Sequence, residues 1–244
     1  MTDLTARLQE ALGARYQLER ELPLGGLGRL FLARTGRGAH VVVQALPPDI
    51  VSRIDAGRFH EAITRVSKLR HRAIVPILEA GGSQDLLYVV SARPKGESLH
   101  SRLVREGGLT VDETVQVLWD VADALAYAHE AGICHGDLKA DTLYLDNGRG
   151  QVAELGLRCA LTQVLEGSHE VDVRADLHAL AVVGQQMLGG QSAPVEAALS
   201  RALSIDPAEQ FASAAAFRDA VGSPPSRQRR RARRRVLAAG LLAV

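Results

Sequence analysis

Three stretches of this chain gather side chains that could do chemistry. Cys134 and the run His135-Gly136-Asp137-Leu138-Lys139-Ala140-Asp141-Thr142 bring a thiol, an imidazole, two carboxylates, an ammonium and a hydroxyl together. A thiol beside an imidazole is the pairing of a cysteine nucleophile. Cys134 closes an apolar run, however, which places it in a core where cysteine is inert, and His135 reads as a packed core residue rather than a ligand or base. Asp137 has two readings, a catalytic carboxylate or an anchor for its own loop through neighbouring N–H groups. The second stretch, Leu22-Pro23-Leu24-Gly25-Gly26-Leu27-Gly28, is a glycine turn that either cradles a phosphate with backbone N–H groups or simply closes a hairpin, the hairpin being favoured. The third holds Arg227, Arg229, Arg230, Arg231, Arg233, Arg234 and Arg235 without an acid. Such a run is a nucleic-acid patch, a solvated linker or the cytoplasmic flank of a membrane segment. The residues after it, Val236 to Val244, are apolar throughout, and nine helical residues span about 14 Å against a hydrocarbon core of about 30 Å. The segment is read as the start of a membrane helix or a surface anchor.

The elements that must position these groups are set by pattern. A chain of 244 residues with 46% hydrophobic and 23% charged residues can bury a sizeable core, which excludes wholesale disorder. Two cysteines and no Cys/His cluster of zinc spacing point to a reducing compartment without a structural metal. The net charge of +1 hides an asymmetry, because removing the seven arginines leaves 22 basic against 28 acidic residues. The N-terminus shows no signal peptide, since Leu4, Leu8 and Leu12 share one face of a polar helix over residues 1–15. Tyr16 to Glu21, Arg29 to Arg34 and His40 to Leu46 read as strands, a helix is expected from Ala56 to Leu69, and Ile74 to Leu78 and Leu86 to Val90 return to strand character. Thr110 with Glu113 forms a capping box for a long helix ending at Gly132. Further helices are expected over 174–188, 195–203 and 213–221. Strands first and helices afterwards give an α+β, bilobal arrangement, divided as a helix over 1–15, a β-rich small lobe over 16–94, a helical large lobe over 95–222, a basic juxtamembrane linker over 223–235 and the apolar end over 236–244.

In order and spacing, the glycine turn, the strand Val41-Val42-Val43-Gln44 and the stretch from His135 to Thr142 resemble bacterial serine/threonine protein kinases. Four further phrases carry the likeness from about Tyr16 to Val221. They are Lys95-Gly96-Glu97-Ser98-Leu99, the helix from Val121 to His129, the segment from Asp172 to Leu180, and Arg201 to Pro207 with Phe211-Ala212-Ser213. The resemblance implies a protein-kinase fold with a trimmed large lobe. It makes Asp137 and Lys139 the catalytic pair, Gly25, Gly26, Gly28 and Gln44 the nucleotide-binding positions, Thr142 and Glu154 the metal positions, and His135 and Asp176 structural residues. Kinase chemistry is positioning and charge neutralisation around a nucleotide. Here Gln44 stands for the strand lysine, Ala62 for the helix glutamate with Glu61 one residue away, Gly136 for an arginine, Thr142 for an asparagine, and Glu154 for an aspartate. A neutral amide forfeits the charge-assisted part of a phosphate contact, roughly 1.5 to 3 kcal/mol. Arg29, beside the last glycine, is one candidate for the missing positive charge.

The resemblance further sets Ser91 as gatekeeper and Pro94, which has no N–H, as the main-chain donor to the base, with Tyr144 narrowing the slot below. Only 22 positions separate Glu154 from Asp176, too few for the family's activation loop and substrate platform. The reading is a catalytically inactive pseudokinase acting as a regulatory or protein-binding module on the cytoplasmic side of the membrane. The alternatives are a weak phosphotransferase built on Asp137, Lys139 and Glu154, and a nucleotide sensor without turnover. No cofactor is required, weak ATP and magnesium binding stay open, and the expected partners are a protein and an anionic membrane surface met by Arg229, Arg230, Arg231, Arg233, Arg234 and Arg235, with no nucleic acid.

Overall fold

Alternation along His40-Val41-Val42-Val43-Gln44-Ala45 decides the small lobe, because successive side chains of a strand leave on opposite faces. The computed structural model describes residues 2–23, 27–83, 85–167 and 171–224. It opens with α1 (Thr2–Leu12) and a 3-10 turn (Gly13–Arg15), followed by β1 (Tyr16–Glu21), β2 (Arg29–Thr35), β3 (His40–Ala45), α2 (Pro48–Val51), α3 (Ala56–Val66), β4 (Ile77–Ser83) and β5 (Leu86–Ala92). The strands form one antiparallel sheet in the order β1-β2-β3-β5-β4. Val41, Val43 and Ala45 share a cluster with Phe31, Tyr88, Val90 and the α1 residues Leu8 and Leu12, so α1 closes one face of the sheet. Gln9 ties the helix to β1, accepting from Leu18 N at 2.8 Å and donating to the Tyr16 carbonyl at 3.0 Å. The opposite face, with Leu87 and Val89, packs on α3. The helix expected to Leu69 ends at Val66, and the strand expected from Ile74 starts at Ile77, where Pro76 cannot donate to a ladder. Ile74 instead makes an isolated parallel bridge to Val152.

The second half contains β6 (Glu97–Ser98), α4 (Leu99–Glu106), α5 (Val111–Glu130), β7 (Leu143–Asp146), β8 (Arg149–Val152), α6 (Leu157–Glu166), α7 (Val173–Met187), α8 (Ala193–Ala202) and α9 (Ala214–Val221). The capping box forms in both directions, with Glu113 N donating to Thr110 Oγ1 at 3.3 Å and Thr110 N to Glu113 Oε2 at 3.1 Å. β7 and β8 make a hairpin whose turn residues Asn147 and Gly148 both have positive φ, 52° and 74°, as a two-residue hairpin loop of this kind requires. Asp120 on α5, fully buried, accepts from Arg149 at 2.7 Å and from Gly150 N at 3.1 Å and so holds that hairpin against the helix. A single apolar cluster runs from α3 through α5 to α9, so both lobes share one core. Among the described residues no helix is long and apolar enough to cross a membrane. The arginine run and the apolar end lie outside the described residues, as do Gly25 and Gly26.

Candidate functional site

The site lies where β3, the segment after α5, and the β8–α6 connection meet. Gln44, on the β3 face turned away from α1, is 4% exposed. Its amide nitrogen donates to the Leu27 carbonyl at 2.6 Å and to Glu154 Oε2 at 3.3 Å. The end of the glycine turn therefore lies directly on β3. A Cβ on Gly28, whose φ is 92°, would stand 2.1 Å from the Ala45 carbonyl oxygen, so only glycine fits this approach. Glu154 takes the left-handed backbone at φ 58°. Burial pushes its carboxyl above the ordinary range, with Gln44 and the charge of Lys139 pulling less strongly the other way. Arg29 does not supply the missing charge. Its guanidinium grips Glu21 at 2.7 and 2.6 Å and lies 5.2 Å over the Phe31 ring, on the sheet face that α1 covers.

Below the strand, Lys139 Nζ meets Asp137 Oδ2 at 3.0 Å, and both side chains are about two-fifths exposed, at 40% and 43%. His135 is 1% exposed. Its Nε2 donates to the Ala153 carbonyl at 3.1 Å and its Nδ1 accepts from Asp137 N at 3.3 Å, an arrangement only the neutral ring can make. Burial accordingly lowers its pKa. Asp176, on the first turn of α7, accepts from His135 N at 2.7 Å, Gly136 N at 2.9 Å and His129 Nε2 at 2.8 Å. Burial alone would push its carboxyl upward, but these donors outweigh burial and hold it below the usual range. The loop from His135 to Asp137 thus hangs from α7 and from the strand-end carbonyl of Ala153.

Thr142 and Glu154, the residues at the two metal positions, do not make a ready magnesium site. Thr142 is 1% exposed, and its hydroxyl accepts from Lys139 N at 3.1 Å while donating to the Lys139 carbonyl at 3.0 Å, which commits it to the loop backbone. Glu154, the carboxylate at the other metal position, is buried and hydrogen-bonded to Gln44, and magnesium demands near-octahedral oxygen ligation. Along the hinge Ala92 N is spent on the Pro76 carbonyl at 2.9 Å and Lys95 N on Gln151 Oε1 at 3.3 Å, while Pro94 has no N–H to offer a base. Tyr144, on β7 opposite Ser98, has its hydroxyl pKa raised first by burial and then by Glu154 and Asp141.

After Gly156 the chain turns at once into α6, and this helix packs on α3. Arg65 of α3 bonds Gln163 of α6. Ala62, where the family's helix glutamate would stand, is buried, and Glu61 points to solvent. The helix over 157–166 is not among those expected from sequence, although Leu157, Ala160, Leu161, Val164 and Leu165 recur at helical spacing.

The protein-kinase domain model matches residues 16–193. The chain belongs to the protein kinase family. Curated relatives include the serine/threonine-protein kinase Pkn1 of Myxococcus xanthus, 27% identical over 84% of this chain and 38% of Pkn1. The serine/threonine-protein kinase PknA of Mycobacterium tuberculosis is 27% identical over 77% of this chain and 50% of PknA. The chain therefore spans half or less of the length of these relatives.

Proposed function

We propose that this kinase domain is a pseudokinase, a regulatory or protein-binding module that transfers no phosphate. One observation carries the reading. Where the family holds a lysine, the uncharged, buried amide of Gln44 joins the Leu27 carbonyl to Glu154. The committed hydroxyl of Thr142, a proline without N–H at the hinge position 94 and the helical α6 in place of a substrate platform point the same way. A basic segment, Arg229 to Arg235, would hold the domain to the anionic inner membrane face at about 1 kcal/mol per arginine near the surface, falling with salt. The module's partner is then a second protein at that surface.

Thermal unfolding with ATP and magnesium tests the reading, because a ligand at a hundred times its Kd stabilises the native state by about 2.7 kcal/mol. The reading expects an unchanged Tm at millimolar ATP, and a rise of several degrees would replace it with that of a nucleotide sensor.

A further inference from the structure

Both cysteines of the chain, far apart in sequence, meet under α6. Cys134 immediately precedes the His135 to Asp137 loop, and Cys159 lies in the first turns of α6. The segment 133–136 runs along the start of that helix, since a Cβ on Gly156 would stand 2.9 Å from Ile133 Cγ2 and one on Gly136 would stand 3.7 Å from Cys159 N. Both cysteines are buried in the same apolar cluster, at 7% and 6% exposure, and both are reduced. The two thiols hydrogen-bond to each other, and the Cys159 sulfur also accepts from the Cys134 backbone N–H. The donors converging on Cys159 favour its thiolate and lower its pKa, while the same partner raises that of Cys134. Two buried thiols hydrogen-bonded to each other across two packed elements are neighbours that oxidation can join.

We propose that Cys134 and Cys159 form a reversible disulfide that fastens α6 to the catalytic-loop segment, with hydrogen peroxide as oxidant. This inference rests on the packing of α6 and stands whether or not the domain transfers phosphate. The Cys159 thiolate attacks one peroxide oxygen, the O–O bond breaks, and the departing hydroxide takes a proton and leaves as water. Cys159 is then a sulfenic acid. The Cys134 sulfur attacks the Cys159 sulfur, the S–S bond forms as the S–O bond breaks, and the second hydroxide leaves as water with the Cys134 proton. Two thiols lose two electrons and the peroxide gains them. Burial of both sulfurs makes reaction depend on α6 lifting. Glycines bracket that helix, Gly156 and Gly167, at φ of 83° and 75°. Once the bond forms, α6 can no longer lift, and the Gly136 to Asp137 turn beneath it is held.

The test treats the full chain with hydrogen peroxide, blocks remaining thiols with an alkylating agent, and maps peptides without reductant. The expected product is a cross-linked peptide pair containing Cys134 and Cys159, with a higher Tm than the reduced protein, both reversed by dithiothreitol. Cys134→Ser should stop at a Cys159 sulfenic acid that a dimedone probe labels, and Cys159→Ser should give markedly less labelling at Cys134. Oxidation only to disulfides between chains, separate over-oxidation of the two sulfurs, or a cross-link that leaves Tm unchanged would overturn the proposal, and the unmutated protein alone decides it if a variant fails to fold.

Discussion

Gln44 and Glu154, 110 residues apart in sequence, meet at 3.3 Å between amide nitrogen and carboxylate oxygen, and the same nitrogen holds the Leu27 carbonyl at 2.6 Å. The family places a cation and a metal-binding aspartate at these two positions, where their charges are bridged through phosphate and magnesium. Here the two side chains satisfy each other directly. A buried amide with its donors engaged needs no ligand to be stable, whereas a lysine in its place would bring a charge that burial penalises.

Asp176 accepts three hydrogen bonds from the segment that precedes and forms the His135 to Asp137 loop. Asp176→Ala strands the N–H groups of His135 and Gly136 and one nitrogen of His129, all engaged with this carboxylate. Each buried donor left unpaired costs roughly 1 to 3 kcal/mol. The expected outcome is a cooperative unfolding midpoint lowered by roughly 6 °C or more, at 2 to 4 °C per kcal/mol for a chain of this size. Calorimetry showing an unchanged midpoint would mean that the loop is held by something other than this carboxylate.

Gly156 and Gly167 cap the two ends of α6 with similar backbone, φ of 83° and 75°, but unlike surroundings. A Cβ on Gly156 would stand 2.7 Å from Val66 Cγ1, while one on Gly167 meets nothing within 4 Å. Gly167→Ala should cost only the left-handed backbone, about 1 to 2 kcal/mol. Gly156→Ala adds overpacking of roughly 1 to 3 kcal/mol. Denaturant midpoints of the two variants compare the costs directly, and equal losses would show that α6 does not press on α3.

Acid should destabilise the fold in two stages. His135 has its pKa lowered by burial, so between neutrality and that lowered value the unfolded chain, with an imidazole pKa of about 6.5, binds a proton the folded chain refuses. Stability therefore falls as pH drops through 6.5. Asp176 is held below the ordinary carboxylate range, so its contribution is present above the unfolded value of about 3.9 and is lost as pH falls through the folded one. Glu154 works in the opposite sense, because a carboxyl raised by burial gains its proton first in the folded state. Melting curves from pH 7.5 to 3.5 should show the decline, and Glu154→Gln should steepen it as pH falls toward the ordinary carboxylate range from above. A Tm that stays level across the range would contradict the neutral, buried imidazole.

Much of this arrangement was legible in the sequence, for reasons that can be named. The Val41-Val42-Val43 alternation oriented Gln44, and Thr110 with Glu113 marked the start of α5 because a reciprocal cap is a local, three-residue device. Ala62 is placed by counting from Phe59 and His71 along the family pattern, and helical spacing then turns Glu61 away from the site. What escaped was tertiary or short. The hairpin of β7 and β8 is marked by Asn147-Gly148, and α6 by the apolar spacing from Leu157 to Leu165, but both elements are short and neither is among those expected from the sequence. No local pattern could show that Arg29 would spend its charge on Glu21, or that Cys134 and Cys159 would meet, because each pairing is made by the packing of separate elements.

The central claim is that this kinase domain transfers no phosphate, and radiolabelled ATP tests it most directly. Purified chain is incubated with labelled ATP, magnesium and a generic protein substrate, beside Asp137→Asn and Gln44→Lys. Losing a single phosphate-stabilising donor typically costs roughly 10²- to 10³-fold in rate, and several are lost here together. The account predicts incorporation by the unmodified chain no greater than by Asp137→Asn, and no rescue by Gln44→Lys, since Thr142 and α6 are unchanged. Labelling by the unmodified chain that Asp137→Asn abolishes, or robust transfer restored by Gln44→Lys alone, would contradict the pseudokinase reading and put a phosphotransferase in its place.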